Sequence, residues 1–286
     1  MGAKLRNNGI REVTNSFVCG RFRFALDRPL VMGIVNVTPD SFSDGGRYAD
    51  TQRAIEHGLR LREEGADILD IGGESTRPGA TPVEADEELR RILPVLEGLR
   101  NCGAALSIDT MKTQVMAVTL GVGADMINDV NALCAPGALE TVAISNCGVC
   151  LMHMSGTPET MQQAPRYDNV VSEVLEFLKA RSDAAIKAGI SRERLVWDPG
   201  FGFGKTPDHN LELFRGLSTF SQSCPTLVGL SRKSLFGVAT GQFEFDRLVA
   251  SVTGATLAIL KGVKIMRVHD VAATRVAIKI VQKLDE

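Results

Sequence analysis

Polar side chains close most of the short apolar runs in this 286-residue sequence. Those that end a run are Asn36, Asp109, Asn128, Asp198, Arg267 and His269. Another run, PTLVGLS, is followed by Arg232 and Lys233. Carboxylate, amide and ammonium groups can hydrogen-bond a polar heterocycle, whereas Arg, His, Asn and hydroxyl groups suit a phosphate-type anion. The sequence therefore predicts one site for a ligand that has both characters.

The glycine-rich segment DPGFGFGKT matches neither common nucleotide-binding motif. A P-loop requires a glycine at the position of Pro199, and the spacing of Gly200, Gly202 and Gly204 does not fit the dinucleotide fingerprint. We interpret these glycines as positions where the backbone passes close to a flat ligand. The loops NVTPDSFSDGG and GGESTRPGA also combine glycine, proline, hydroxyls and charge. Loops of this kind can close over a ligand.

Composition and residue pattern argue against several other functions. No nucleophile, base and orienting acid form a hydrolytic set, since neither His153 nor His269 has an evident partner. Cys147 and Cys150 form one CxxC, but no second Cys or His pair follows at metal spacing. The net charge of -2 offers no broad attraction to nucleic acid or an anionic membrane. Without a signal-like or membrane-spanning run, we expect a cytoplasmic protein with reduced thiols.

Eight β-like runs alternate with amphipathic segments, a pattern typical of βα units around a parallel sheet. The runs are VMGIVNV, DILDIGG, ALSIDT, DMINDV, GVCLMHM, RLVWDPG, PTLVGLS and KIMRVHD. We predict an α/β fold, a (β/α)8 TIM barrel, because a doubly wound open sheet usually has fewer strands and a glycine-rich first turn. FVCGRFRFALDRP predicts a short N-terminal β-hairpin over the N-terminal end of the barrel. The candidate residues then gather at the C-terminal ends of the strands, the active face of such barrels.

Several segments together resemble the dihydropteroate synthase family of pterin-binding barrels. They are MGIVNVTPDSFSDGG, DIGGESTRPGA, SIDT, INDV, CLMHMSGTPETMQ, DPGFGFGK, VGLSRKS and RVHDV, in the family order. The resemblance extends from about Val31 to the C-terminus and does not include the first sixteen or so residues. We therefore predict an N-terminal extension over residues 1–16 and a single pterin-binding barrel domain over residues 17–286.

The resemblance implies a transferase of folate biosynthesis. Its substrates would be 6-hydroxymethyl-7,8-dihydropterin pyrophosphate and 4-aminobenzoate, and its products 7,8-dihydropteroate and pyrophosphate. The family also implies Mg2+ as cofactor, a homodimer, and sulfonamides as inhibitors. Two alternatives stay open. One is a methyltetrahydrofolate:corrinoid methyltransferase, which binds a pterin in a similar barrel but holds no pyrophosphate, and the other is a catalytically silent binding protein.

The resemblance also assigns roles to residues around the pterin and its pyrophosphate. The pterin ligands would be Asp109, Asn128, Asp198 and Lys233 at its edge, with Met152 and Arg267 along its plane. Asn36 would bind magnesium, and Arg267 and His269 would hold the pyrophosphate. In this family the bond to pyrophosphate is thought to break before the amine attacks. Asp44 would stabilise the resulting pterin methyl cation, completing a catalytic set with Lys233, Arg267 and His269.

A second group of residues is assigned to the arylamine by the same resemblance. Phe42, Pro78 and Phe203 would enclose its ring. Thr76, Arg77 and Ser234 would surround its carboxylate or the neighbouring anion, so that Thr76 serves both substrates. Closure of the first two loops would keep water from capturing the cation.

Overall fold

The computed structural model describes residues 14–37, 46–75, 79, 81–233, 235–241 and 247–285. Its first two strands, β1 (Ser16–Cys19) and β2 (Phe22–Ala25), form an antiparallel hairpin. Eight parallel strands follow within the described residues: β3 (Leu30–Asn36), β4 (Ile68–Gly72), β5 (Ala105–Asp109), β6 (Met126–Asp129), β7 (Gly148–Met152), β8 (Leu195–Asp198), β9 (Leu227–Val228) and β10 (Ile265–Val268). The division at residue 16 stays a prediction, since residues 1–13 lie outside the described part.

The eight parallel strands form a nearly closed ring in the order β8-β7-β6-β5-β4-β3-β10-β9. The ring closes where Trp197 of β8 pairs with Thr226, just before β9, and the Trp197 backbone N donates to Pro225 O at 3.0 Å. Strands such as β4 and β5 are buried along their whole length. Strands that are covered on both faces are expected of a parallel sheet surrounded by helices. The predicted (β/α)8 barrel is confirmed.

Helices follow the barrel strands and pack on their outer faces. They are α1 (Gly46–Glu63), α2 (Ala85–Leu99), α3 (Thr113–Gly121), α4 (Ala138–Ala143), α5 (Val170–Lys187), α6 (Pro207–Arg215), α7 (Leu217–Ser221), α8 (Leu235–Thr240), α9 (Arg247–Leu260) and α10 (Val271–Asp285). Local sequence sets several of their starts. At α6, the Thr206 hydroxyl accepts from His209 N at 3.1 Å and Thr206 N donates to the His209 ring at 3.2 Å, forming a capping box. None of the described helices is long and apolar enough to cross a membrane.

The N-terminal hairpin closes the end of the barrel at which the strands begin. Phe17 and Cys19 are fully buried there. They pack in one cluster with the inward-facing residues Leu30, Met32, Ile68, Ala105, Met126, Cys150, Val196, Leu227 and Ile265. Gly148 leaves room for Phe17, because a Cβ at this glycine would lie 2.5 Å from Phe17 Cζ. The expected position of the hairpin is confirmed, and the open mouth is at the opposite end.

Candidate active site

The interior of the barrel changes from apolar to polar toward the C-terminal ends of its strands. Four inward positions of the apolar cluster are Ile68, Ala105, Met126 and Ile265. Two residues later in the same strands stand Asp70, Ser107, Asn128 and Arg267. Because strand side chains alternate between the two faces, these four polar residues also point into the barrel. The mouth of the barrel is therefore lined by groups that can bind a polar ligand.

Arg267 links two buried carboxylates at this mouth. Its Nε donates to Asp70 Oδ2 at 2.6 Å, and its Nη2 donates to Asp109 Oδ2 at 2.7 Å. Asn128 Nδ2 donates to the same Asp70 oxygen at 3.1 Å. The two N–H groups on one edge of the guanidinium thus hold carboxylates that come from adjacent strands. This network joins three of the predicted pterin ligands, Asp109, Asn128 and Arg267, to a fourth group, Asp70.

Burial and the ion pairs set the charge state of this network. Burial raises the pKa of Asp109 to about 7, although Arg267 acts in the opposite direction and favours the carboxylate. Burial alone would lower the pKa of Arg267, but Asp70 and Asp109 outweigh it and the pKa is raised. The guanidinium therefore stays charged, and the pKa of Asp109 lies near neutral pH.

Three oxygen atoms in this part of the barrel have no protein hydrogen-bond partner. They are Asp70 Oδ1, Asp109 Oδ1 and Ser107 Oγ, and all are buried. A buried oxygen without a donor is costly to keep in a folded protein. A ligand that brings N–H groups to the mouth would satisfy them, as the amino edge of a polar heterocycle can.

Asp198 and Lys233 form the second half of the polar mouth. Asp198 Oδ1 accepts from Gly200 N at 2.8 Å. Lys233 Nζ donates to Phe201 O and stands 4.8 Å from the centre of the Phe203 ring. Burial lowers the pKa of Lys233 to about 8, while Asp198 favours its charged form. Burial likewise raises the pKa of Asp198, against the hydrogen bond from Gly200 and the charge of Lys233.

The segment after β8 owes its shape to a buried lysine and to glycines. Lys205 Nζ donates to Gly200 O at 2.9 Å and to Phe203 O at 3.0 Å, and it lies 3.0 Å from His153 Nδ1. Burial lowers the pKa of Lys205 to about 7. Gly200 has φ +72°, and a Cβ there would lie 1.9 Å from His153 O. At Gly200 the close approach is to the neighbouring loop, so our interpretation that it accommodates a flat ligand is wrong for this glycine.

Asn36 and His269 line a cavity of about 450 Å³ beside the carboxylate network. His269 Nδ1 lies 3.0 Å from Ser231 Oγ, which fixes the ring. Gly72 separates Asn36 from the network: a Cβ on this glycine would lie 3.9 Å from Asn36 Oδ1 and 3.5 Å from Asp109 Cβ. The predicted anion-binding residues and heterocycle-binding residues are therefore neighbours at one end of the barrel.

The described residues account for most, but not all, of the predicted site. Met152 is buried beside Asp198, with which it pairs in the sheet register. Arg232, which was expected at the same face as Lys233, pairs through its Nη2 with Asp270 Oδ1 at 2.7 Å. The remaining predicted residues, Phe42, Asp44, Thr76, Arg77, Pro78 and Ser234, lie outside the described residues.

Two residues of the site were missed by the sequence analysis. Asp70 lies in the middle of the run DILDIGG, where only the inward phase that it shares with Ile68 could have pointed to it. Lys205 ends the motif DPGFGFGK and is only 3% exposed, which no sequence pattern indicates for a lysine. Asp70 completes the carboxylate network, and Lys205 supports the segment that carries Phe203.

Comparison with known proteins identifies relatives along most of the chain. The family described as "Pterin binding enzyme" matches residues 32–269. The dihydropteroate synthase of Haemophilus influenzae is 48% identical over 259 residues, which are 90% of this chain and 94% of that protein. Among solved structures, the Xanthomonas albilineans dihydropteroate synthase with 4-aminobenzoic acid has a TM-score of 0.88 and 49% identity, covering 96% of this chain and 99% of that one. The Yersinia pestis dihydropteroate synthase in a sulfonamide drug complex has a TM-score of 0.87 and 43% identity, covering 94% and 99%.

Replacing Arg267 with methionine should destabilise the protein in a pH-dependent way. Without the guanidinium, two buried carboxylates lose their cation, at a cost of about 3–5 kcal/mol at pH 8. Because the folded pKa of Asp109 is raised to about 7, the folded state binds a proton that the unfolded state has lost, and stability falls as pH rises from about 4 to about 7. Arg267→Met raises this pKa further, so the deficit should shrink at pH 5.5. Urea unfolding at both pH values measures it.

Arg23→Met provides the matched control for Arg267→Met. Arg23 forms an exposed ion pair with Glu193 at 3.0 Å at the closed end of the barrel. Its replacement should cost less than about 1 kcal/mol. If Arg267→Met lowers the free energy of unfolding equally at pH 5.5 and pH 8, the loss does not come from buried negative charge, and the prediction is wrong.

Proposed function

The chain belongs to the dihydropteroate synthase family, and we propose that the open mouth of its barrel joins the pterinylmethyl group of 6-hydroxymethyl-7,8-dihydropterin pyrophosphate to 4-aminobenzoate. It is a transferase. A carbon–nitrogen bond forms to the arylamine, the carbon–oxygen bond to pyrophosphate breaks with its electron pair leaving on the pyrophosphate, and the amine releases one proton. The observation that carries the proposal is the buried pair Asp70 and Asp109, held by Arg267 with one oxygen of each carboxylate left for a ligand.

The pterin is recognised by the polar mouth, since its ring edge presents N–H donors and lone-pair acceptors side by side. Carboxylates of Asp109 and Asp198 accept from the ring, while Lys233 donates to it. Arg267 is held in place by two carboxylates before any substrate arrives. Binding therefore requires little rearrangement of these groups, which is the condition for strong electrostatic stabilisation.

The pyrophosphate is held beside the pterin by His269 and Asn36. Both line the same cavity, and the Ser231 hydroxyl contacts His269 Nδ1. Hydrogen bonds from His269 and charge from Arg267 lower the energy of the departing anion. Asp44 as the stabiliser of the pterin cation, and Phe42, Thr76, Arg77, Pro78 and Ser234 around the arylamine, remain assignments by family resemblance. Phe203 is supported by its position next to Lys233.

The relatives support each half of this reaction. The matching family is described as pterin binding, the Xanthomonas albilineans enzyme was solved with 4-aminobenzoic acid, and the Yersinia pestis enzyme with a sulfonamide drug. We extend the two ligand classes to this chain and propose that sulfonamides compete with its arylamine substrate. The corrinoid methyltransferase alternative gains no support, because methyl transfer has no use for the anion cavity at Asn36 and His269.

A coupled assay tests the activity directly. Purified chain should release pyrophosphate only when the pterin pyrophosphate and 4-aminobenzoate are both present. Asp198→Ala should weaken calorimetric binding of the bare pterin by about a hundred-fold or more, because hydrogen bonds to a buried carboxylate contribute about 1.5–3 kcal/mol each. Asp27→Ala, an exposed site near the closed end, serves as control and should leave the affinity unchanged. Unchanged pterin affinity in Asp198→Ala would contradict the assigned role.

A magnesium ion at Asn36 is a further part of the proposal. Among the described residues, no group of three or more His, Cys, Asp or Glu is arranged to hold a metal. Mg2+ commonly takes one or two protein oxygens and completes its shell with substrate phosphates and water, so the amide oxygen of Asn36 fits. When bound there, the ion would neutralise negative charge on the pyrophosphate.

The magnesium assignment predicts a coupling between the ion and pyrophosphate. Calorimetric titration of wild-type protein with pyrophosphate should give tighter binding with Mg2+ than with EDTA. Asn36→Ala should lose most of that difference while keeping its affinity for the bare pterin. If Mg2+ increases pyrophosphate affinity equally in the wild type and in Asn36→Ala, Asn36 is not the magnesium ligand.

We also propose that the enzyme is a homodimer that associates through α9 and α10. These two helices pack on each other and expose large apolar side chains: Leu248, Val249, Leu257, Leu260, Val276, Ile280 and Leu284. Val276, Ile280 and Leu284 recur every four residues and so form one stripe on α10. An exposed apolar surface of this kind is typical of an interface, and a second copy of the chain is the partner proposed.

Sedimentation velocity distinguishes the dimer from a monomer. Wild-type protein should sediment with the mass of two chains, and Ile280→Glu should shift it toward one, because a charge in the centre of an apolar interface is costly. Ile144→Glu is the control, since Ile144 is 91% exposed and lies outside α9 and α10. A single-chain mass for the wild type would overturn the dimer.

The cellular location is the last part of the proposal. We place the enzyme in the cytoplasm, where thiols stay reduced. All six cysteines are free, and Cys19, Cys147, Cys150 and Cys224 are buried. The CxxC pair consists of two such buried residues, and Cys150 belongs to the apolar cluster of the barrel interior.

A further inference from the structure

The barrel wall has a side opening between β3 and β10. β10 pairs with β3 only as far as Val268, which lies opposite Gly33. β3 continues beyond this point and pairs on its other side with β4, up to Asn36 opposite Gly72. The edge of β3 that faces β10 is therefore not paired with β10 above Gly33. The backbone oxygen Ile34 O is instead met by His57 Nε2 from α1, at 3.2 Å.

The cavity beside Asn36 and His269 is bordered at this opening by one face of α1. Its described lining consists of Ile34, Asn36, Arg53, Glu56, His57, Arg60 and His269. Residues from the mouth of the barrel and residues from an outer helix thus border the same space.

His57 holds one of the arginines of the opening in place. Because His57 Nε2 donates to Ile34 O, its Nδ1 is the acceptor for Arg60 Nη2 at 2.7 Å. Burial lowers the pKa of His57, and the charge of Arg60 lowers it further, so the ring stays neutral. His57 therefore orients Arg60 without cancelling its charge.

The described lining of the outer end of the opening carries two guanidinium groups, Arg53 and Arg60, and one carboxylate, Glu56. Among the described residues, Arg53 Nη1 lies 3.9 Å from Asp50 Oδ1 and Arg60 Nε lies 4.0 Å from Glu64 Oε1, at the limit of an ion pair. Glu56 opposes them, but Gln52 Nε2 already donates to its Oε1 at 3.0 Å. In the part of the chain that the structure describes, the two guanidinium groups thus have N–H donors that can also meet another anion.

We propose that the side opening lined by Arg53, His57 and Arg60 is an outer binding site for inorganic pyrophosphate, through which this product leaves. The origin of the pyrophosphate rests on the proposed function. The anion is released next to Asn36 and His269 and then passes to the two arginines on α1. Transfer to a separate outer site takes the anion out of the mouth once the arylamine has reacted. Arg53 and Arg60 bind the anion directly, and His57 is a positioning residue.

Calorimetric titration of the full chain with inorganic pyrophosphate tests this outer site. Arg53→Gln and Arg60→Gln should each weaken binding by about three- to five-fold, as expected for partly exposed charge pairs, and the double variant by more than either. Glu56→Gln should instead strengthen binding by about two-fold, because it removes the opposing charge. His57→Gln should weaken binding in the presence of Arg60, with no further loss in Arg60→Gln.

Two controls separate anion binding from general damage. Arg23→Gln removes an equal charge from the closed end of the barrel and should leave pyrophosphate affinity unchanged. Affinity for the bare pterin should be the same in all these variants, which reports that the mouth is intact. The outer site is wrong if Arg53→Gln and Arg60→Gln bind pyrophosphate as tightly as Arg23→Gln does. It is also wrong if Glu56→Gln weakens pyrophosphate binding.

The outer site and the proposed function can fail separately. If the wild-type protein forms dihydropteroate while the arginine variants bind pyrophosphate normally, the outer site is wrong and the function stands. If the wild-type protein forms no dihydropteroate while Arg53 and Glu56 variants shift pyrophosphate affinity in opposite directions, the anion site stands and the function is wrong.

Discussion

The ion-pair network of Arg267 with Asp70 and Asp109 is the constraint on which the active end of the barrel depends. Two carboxylates from adjacent strands are buried within reach of one guanidinium, and burying these charges costs desolvation that their mutual attraction has to offset. The unpartnered oxygen on each carboxylate adds to that cost. Such an arrangement is poor for stability but suited to binding, because a ligand with N–H groups completes what the protein leaves incomplete. The other polar groups of the mouth are placed around this network.

A second buried ionic cluster ties the segment after β4 to the same strands. Lys112 Nζ, three residues beyond Asp109, donates to Glu74 Oε2 at 2.5 Å and to Glu88 Oε2 at 2.6 Å. Glu74 Oε1 accepts from Val83 N at 2.8 Å, so one side chain bridges the two ends of this segment. Glu88 also favours the protonated form of Asp109 and thereby raises its pKa. Hydrogen bonds of Glu74 with Val83 and Lys112 thus hold the two ends of this segment together. The charge of Glu88 links the cluster to the carboxylate network through the pKa of Asp109.

The fold was largely predictable because each barrel strand is a short apolar run bounded by glycine or a polar residue, and such runs were found at all eight positions. The strand ends that carry Asp109, Asn128 and Asp198 followed from the same reading. Arg232 could not be judged in this way, since whether it or Lys233 faces inward depends on the turn geometry, and Arg232 has φ +61°. Asp70 was missed because its partner, Arg267, is distant in sequence. Lys205 was missed because its partners near Gly200 are backbone oxygens, which leave no mark in the sequence. Periodicity reports which face a residue occupies and not which group it meets.

The two ends of the barrel divide stability and function between them. At the closed end, Phe17 and Cys19 fill the interior, and Asp125 is satisfied by Arg21 and by Leu106 N. At the open end, buried side-chain oxygens of Asp70 and Asp109 have no partner among the described residues, and β10 stops opposite Gly33 while β3 continues. A barrel with every strand fully paired would be more stable, but its wall would have no side opening. In the proposed function, the early end of β10 leaves space beside Asn36 and His269, where the anion lies next to the heterocycle.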